Sequence, residues 1–107
     1  MGGDDQVVTC AIARGEILFG IERLVAGRRR TELEAKAAIV FAALHCEPVP
    51  AAAGDAYARV KSGQQRRGLS LDENDLWIAA TAVALSATLV SNDSDFQLIE
   101  GLAIVRP

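Results

Sequence analysis

The stretch NDLWIAATAVAL, residues 74–85, constrains the fold of this chain more than any other. Its apolar residues surround a helix rather than lining one stripe of it, so a helix here is buried on most sides. Carboxylates bracket this buried run. Asp75 stands at its start, and Asp93 and Asp95 follow directly after a second apolar run, ATLVS (87–91). A helix cap accounts for one such acid, and a metal site accounts for several.

The chain has 107 residues, which predicts one small domain over 1–107. Half of them are hydrophobic, enough for a core. Residues 1–5 are expected to be disordered. No apolar run is long enough to span a membrane. The opening MGGDDQ lacks the basic-then-apolar layout of a secretory leader, so a cytoplasmic protein is expected. Cys10 and Cys46 belong to no CxxC pair and read as two buried thiols. The single histidine, His45, leaves histidine-based zinc sites and serine triads almost nothing to build on, and reads as a helix C-terminal residue. A net charge of −3 by itself disfavours nucleic acid, yet basic residues cluster at Arg28, Arg29 and Arg30 and again at Arg59, Lys61, Arg66 and Arg67.

QVVTCAI (6–12) is short, apolar and β-branched and predicts a buried strand. RGEILFGIERLVAG (14–27) then predicts a helix ending at Gly27, with the three arginines forming a turn. Thr31 and Glu34 make a capping-box pattern for a helix to about Cys46, with Leu33, Ala37, Val40, Phe41 and Leu44 on its buried side. EPVP (47–50) predicts an edge strand. A helix follows over 51–68, with Gly63 and Gly68 as candidate breaks. Ser70 with Glu73, or Asp72 alone, caps the apolar helix at 74–85. ATLVS is a buried strand, NDSD a turn and LAIVRP (102–107) the last strand. Strands alternating with helices imply parallel pairing and an α/β sandwich.

In such sheets, sites form at the carboxyl ends of strands. Glu16 is expected in the first turn of the helix after the first strand, Asp93 just past ATLVS, and Asp75 at the head of the buried helix. Singly, each is ordinary helix-start or turn chemistry. Together, like charges a few ångströms apart repel, and a divalent cation relieves that repulsion. Carboxylates without His or Cys select hard cations, so Mg2+ or Mn2+ is expected, with phosphodiester hydrolysis as the chemistry. Trp77 reads as core or subunit interface. Gly20 and the alanines at 79, 80 and 82 read as sites of close helix approach. Arg14 either orients a carboxylate or touches nucleic acid.

The segments TCAIARGEILFGIERLVAGRRR and LDENDLWIAATAVALSATLVSNDSDF resemble the VapC-type toxins of the PIN-domain ribonuclease family, over nearly the whole chain. The resemblance implies a parallel-sheet α/β/α fold and an RNA-cutting site of clustered acids holding magnesium or manganese. It matches the site to Glu16, Asp75 and Asp93, with Asp95 as second choice. It also implies a cognate antitoxin whose tail covers the site, and a homodimer. Arg14, Arg28, Arg29, Arg30, Arg66 and Arg67 are the candidate RNA contacts.

One departure from the family pattern stands out. Family members open with a strand ending in an Asp, and this sequence begins at what matches their second strand. Asp4 and Asp5 precede the first strand by its whole length, roughly 15–20 Å from the site. The metal site is therefore expected to be one ligand short and to bind metal weakly. The resemblance places the missing strand between 6–12 and 87–91. Those two strands are expected to pair directly across the gap, within a homodimer. Three functions follow: a metal-dependent endoribonuclease toxin, an impaired remnant acting only as a dimerisation or antitoxin-binding module, and a DNA-binding regulator using its arginines. The last lacks any helix-turn-helix pattern.

Overall fold

The computed structural model describes residues 9–91 and 94–105. The expectation of disorder at 1–5 and the acids Asp4, Asp5 and Asp93 fall outside them, as does the side chain of Asp95. In chain order the elements are β1 (Thr9–Cys10), α1 (Ala11–Glu22), α2 (Arg28–Ala43), β2 (Cys46–Glu47), α3 (Ala52–Arg66), α4 (Glu73–Ala84), β3 (Thr88–Val90), a 3-10 helix (Ser94–Leu98) and β4 (Ala103–Val105). No helix among them is long and apolar enough to cross a membrane.

The strands pair in parallel, as their alternation with helices predicts, but in two separate ladders. β1 pairs with β2, and β3 with β4. Among the described residues, the expected direct pairing of the first strand with ATLVS does not form. Nor is β3 buried: Thr88 and Leu89 are half-buried and Val90 is exposed.

The core lies between α4, β3 and the 3-10 helix. Ala79, Phe96 and Ile99 form its buried centre, and Val60, Leu71, Leu89, Leu102 and Ile104 pack around it. Ala53 and Ala56 on α3 are also buried, as are Ala79, Ala80 and Ala82 on α4. Gln64 of α3 is buried too, and its Nε2 donates to Leu98 O at 3.3 Å, tying α3 to the 3-10 helix.

Local signals decide where the helices stop. After α3, Gly68 adopts φ +70°, a conformation that glycine reaches without a Cβ penalty. Gly68 N–H then donates to Gln65 O at 3.1 Å and Leu69 N–H to Gln64 O at 2.8 Å, a Schellman closure. Gly63 stays inside the helix and breaks nothing.

The first third of the chain departs most from expectation. α1 begins at Ala11, which cuts the strand to two described residues, and ends at Glu22. Gly27 precedes α2 instead of ending α1. The three arginines are helical, not a turn, and Thr31 Oγ1 donates back to Gly27 O at 3.0 Å from inside the helix. The predicted face of α2 is half-buried at Leu33, Ala37, Phe41 and Leu44, while Val40 is exposed. Gly20 meets no close neighbour, so it permits no close packing here. Cys10 is buried and Cys46 half-buried, both free thiols. His45 lies beyond the helix cap, with Nε2 3.1 Å from Glu47 Oε1.

Candidate functional site

The start of α4 is built by Asp72. Its Oδ2 accepts the Asn74 backbone N–H at 3.1 Å, and its carbonyl accepts Leu76 N–H at 2.9 Å. Of the two caps the sequence permits, the Asp72 cap is the one formed. Asn74 is thereby held with its side chain toward α1, where Nδ2 donates to Glu16 Oε2 at 3.3 Å. Residues 58 apart in sequence meet at this bond. Glu16 is exposed and sits in the second turn of α1, not the first, because the helix starts earlier than the sequence suggests. Asp75 is half-buried in the first turn of α4, next to Asn74 in the chain.

Glu73, also in that first turn, is held by α3. Tyr57 Oη donates to Glu73 Oε1 at 2.5 Å, and Lys61 Nζ donates to Glu73 Oε2 and to Tyr57 Oη, each at 3.0 Å. The Tyr57 hydrogen bond, then Lys61, holds the Glu73 carboxyl below its ordinary range. Tyr57, then Glu73, raises the Lys61 ammonium above its own. Tyr57 also stacks on Trp77, with ring centroids 4.1 Å apart and planes at 11°. Trp77 is thus neither free surface nor deep core.

Most of the candidate RNA contacts are engaged within the chain. Arg14 lies 4.3 Å above the Phe41 ring, so it does not orient Glu16. Arg28 pairs with Glu32 at 3.2 Å; Arg30 bonds Glu22 at 3.0 Å and Glu34 at 3.4 Å. Arg66 donates to Ser62 Oγ and Arg67 to Leu98 O. Arg66 and Arg67 line an open cavity of about 690 Å3 with Arg59 and Glu100, and neither Glu16 nor Asp75 lines it. Arg29 is exposed.

The groups at the α1–α4 junction offer oxygen donors, the set that hard cations select. Among the described residues, no three His, Cys, Asp or Glu side chains gather closely enough to hold a metal ion. Asn74 was not expected at the site from its sequence. An amide beside Asp75, at an exposed helix start, was the available signal.

The PIN domain family model matches residues 1–102. The chain is 30% identical over 100 residues to ribonuclease VapC5 of Mycobacterium tuberculosis, covering 94% of this chain and 70% of that protein. In fold it is similar to VapBC2 of Rickettsia felis bound to a promoter DNA fragment, with TM-score 0.82, 24% identity, and 97% and 77% of the two chains covered. It is also similar to the VapBC-5 toxin–antitoxin structure of M. tuberculosis, with TM-score 0.81, 24% identity, and 94% and 82% covered. The α/β fold with its parallel strands is that of the PIN domain. The chain belongs to the PIN-domain family, among its VapC-type toxins.

Proposed function

We propose that this protein is the toxin of a type II toxin–antitoxin pair and a metal-dependent endoribonuclease, with Glu16, Asp75 and Asp93 as its acidic site. The observation that carries this reading is the bond from Asn74 to Glu16, which draws a carboxylate of α1 to the head of α4, where Asp75 follows Asn74 in the chain. Asp93 follows β3 by three residues and completes the set, with Asp95 as second choice. These oxygen donors suit Mg2+ or Mn2+, which when bound would lower the pKa of a coordinated water and neutralise charge on the phosphodiester. Asn74 orients the Glu16 carboxylate, and Asp72 fixes Asn74.

RNA is the proposed substrate, with the exposed Arg29 as a candidate contact, and the cytoplasm the proposed site of action. An antitoxin is the proposed partner. Ile17, Leu18 and Phe19 of α1 and Val40 of α2 are exposed apolar residues, and Ile17 and Val40 also line a shallow groove of about 210 Å3 with Ile21, Leu33 and Phe41. An amphipathic antitoxin segment suits such a surface. A homodimer is proposed as well, which sedimentation at micromolar concentration tests; a strict monomer would end that part. The split of the strands into two ladders favours a second reading, a protein that binds its partners without cutting RNA.

One assay separates the two. The purified chain is incubated with RNA, with and without Mg2+ or Mn2+, beside Asp75→Asn and Glu16→Gln. Metal-dependent cleavage that both substitutions abolish is expected. No cleavage, or cleavage indifferent to both substitutions, refutes the enzymatic reading.

A further inference from the structure

α3 carries a basic cavity that the acidic site does not use. Arg59, Arg66 and Arg67 line this open space of about 690 Å3, and Glu100 is its one carboxylate. Their spacing of i, i+7 and i+8 sets the three arginines on one face of α3.

Their charge is not neutralised. Arg66 Nη1 donates to Ser62 Oγ at 2.6 Å, and Arg67 Nη1 donates to Leu98 O. Both acceptors are neutral, and each guanidinium has five N–H groups to give. Arg59 forms no ion pair among the described residues, although Asp55 stands one turn before it. Arg28, Arg30 and Lys61 each hold a glutamate instead. The helix macrodipole accounts for Arg66 and Arg67 at the end of α3, but not for Arg59 two turns earlier.

Gly63 is equally unexplained by the fold. It sits inside α3 without a positive φ, where glycine costs stability relative to alanine. It lines the cavity between Arg59 and Arg66, and a Cβ there would meet Arg66 Nη2 at 4.0 Å and nothing nearer. The glycine leaves the floor between the arginines open. The rest of that floor is apolar, from Ala56, Val60, Val83 and Ile99.

We propose that this cavity anchors the phosphates of a single RNA strand, apart from the acids that would cut it. This rests on the reading of RNA as the substrate. From Arg59 to Arg67 the helix runs about 12 Å, so the positive groups stand in series, as phosphates do along a strand. Guanidinium groups take phosphate oxygens in pairs and also stack on bases. The apolar floor accepts the face of a base, which an acidic peptide does not bring. Neither Glu16 nor Asp75 lines the cavity, so it serves binding and not the chemical step.

The test measures anisotropy of a labelled poly(U) strand with the full chain in EDTA, over a range of salt. Replacing Arg59, Arg66 and Arg67 together by Gln is expected to weaken binding by about tenfold or more. It should also flatten the slope of log affinity against log salt by about 2, because each phosphate contact on a single strand contributes about 0.7. Arg23→Gln, at an exposed arginine of α1 outside the cavity, should change little. Gly63→Leu keeps every charge but fills the floor, and should weaken binding several-fold without lowering the urea midpoint. If the triple variant does not fold, Arg59→Gln alone serves, with a slope change of about 0.7. The proposal is overturned if the wild type does not bind RNA, if the arginine or Gly63 variants bind as the wild type does, or if Arg23→Gln costs as much. Polyglutamate competing as well as unlabelled RNA also overturns it, and marks a site for an acidic protein. Arginine-dependent binding without cleavage refutes the enzymatic reading and leaves this site standing; cleavage with an unchanged KM in the triple variant does the reverse.

Discussion

Phe96→Ala should be among the most damaging single substitutions in the chain. Phe96 is 5% exposed and sits with Ala79 and Ile99 at the centre of the core. A buried phenylalanine removes about 150–250 Å2 from water. At about 25 cal/mol per Å2 that is roughly 4–6 kcal/mol, an upper bound because the denatured chain is already partly collapsed. Measured phenylalanine truncations in cores cost about 3–5 kcal/mol. A domain of this size has a total stability on the order of 5–15 kcal/mol, so the loss is a large share. Phe19, on the outer side of α1, is 64% exposed, and Phe19→Ala should stay within about 0.5 kcal/mol. Urea unfolding followed by circular dichroism measures both. A loss under about 1 kcal/mol for Phe96→Ala, or a similar loss for both variants, would refute this placement of the core. Phe96 also anchors the segment that follows Asp93, so its truncation should lower any activity of the acidic site.

Gly68→Ala should cost about 1 kcal/mol or more in urea midpoint analysis, because φ +70° admits a Cβ only with strain; an unchanged midpoint would contradict the Schellman closure. Asp72→Ala should cost about 1 kcal/mol and Asp72→Asn much less, since Asn also caps. The Tyr57–Lys61–Glu73 group should support α3 against α4 through the neutral range. Its Glu73 part, with a lowered pKa, is present above the ordinary carboxylate value and lost as acid passes the lowered one. Its Lys61 part, with a raised pKa, is present below the ordinary ammonium value and lost as base passes the raised one. Glu73→Gln should flatten both limbs of the stability–pH curve, and an unchanged curve would show that the group is too solvated to matter.

The second half of the chain was readable because its signals are local and agree with one another. The apolar surround of 74–85, an acid able to cap it at Asp72, and Gly68 at a helix end all point to one arrangement, and the structure has it. The first third misled for physical reasons. The short apolar run VVTCAI fits a strand or a buried helix start equally by periodicity, and Ala11 went to the helix. Thr31 and Glu34 match a capping box by spacing, yet Thr31 spends its hydroxyl on the carbonyl four residues back. Glu16 was legible as a residue type but not as a second-turn position. Its partner Asn74 is set by tertiary packing of α1 against α4, which no local pattern encodes. The separation of the strands into two ladders is likewise a long-range outcome.

The most direct test of the acidic site is a Mn2+ titration of the isotope-labelled chain followed by NMR. Paramagnetic broadening falls steeply with distance from the ion, so it maps the site without depending on turnover. Broadening at low Mn2+ should begin at residues 16, 74, 75 and 93 together, and Asp75→Asn should move it to higher concentration. Broadening that starts at Asp4 and Asp5, or that reaches Glu16 while leaving Asp75 and Asp93 sharp, would contradict a shared metal site.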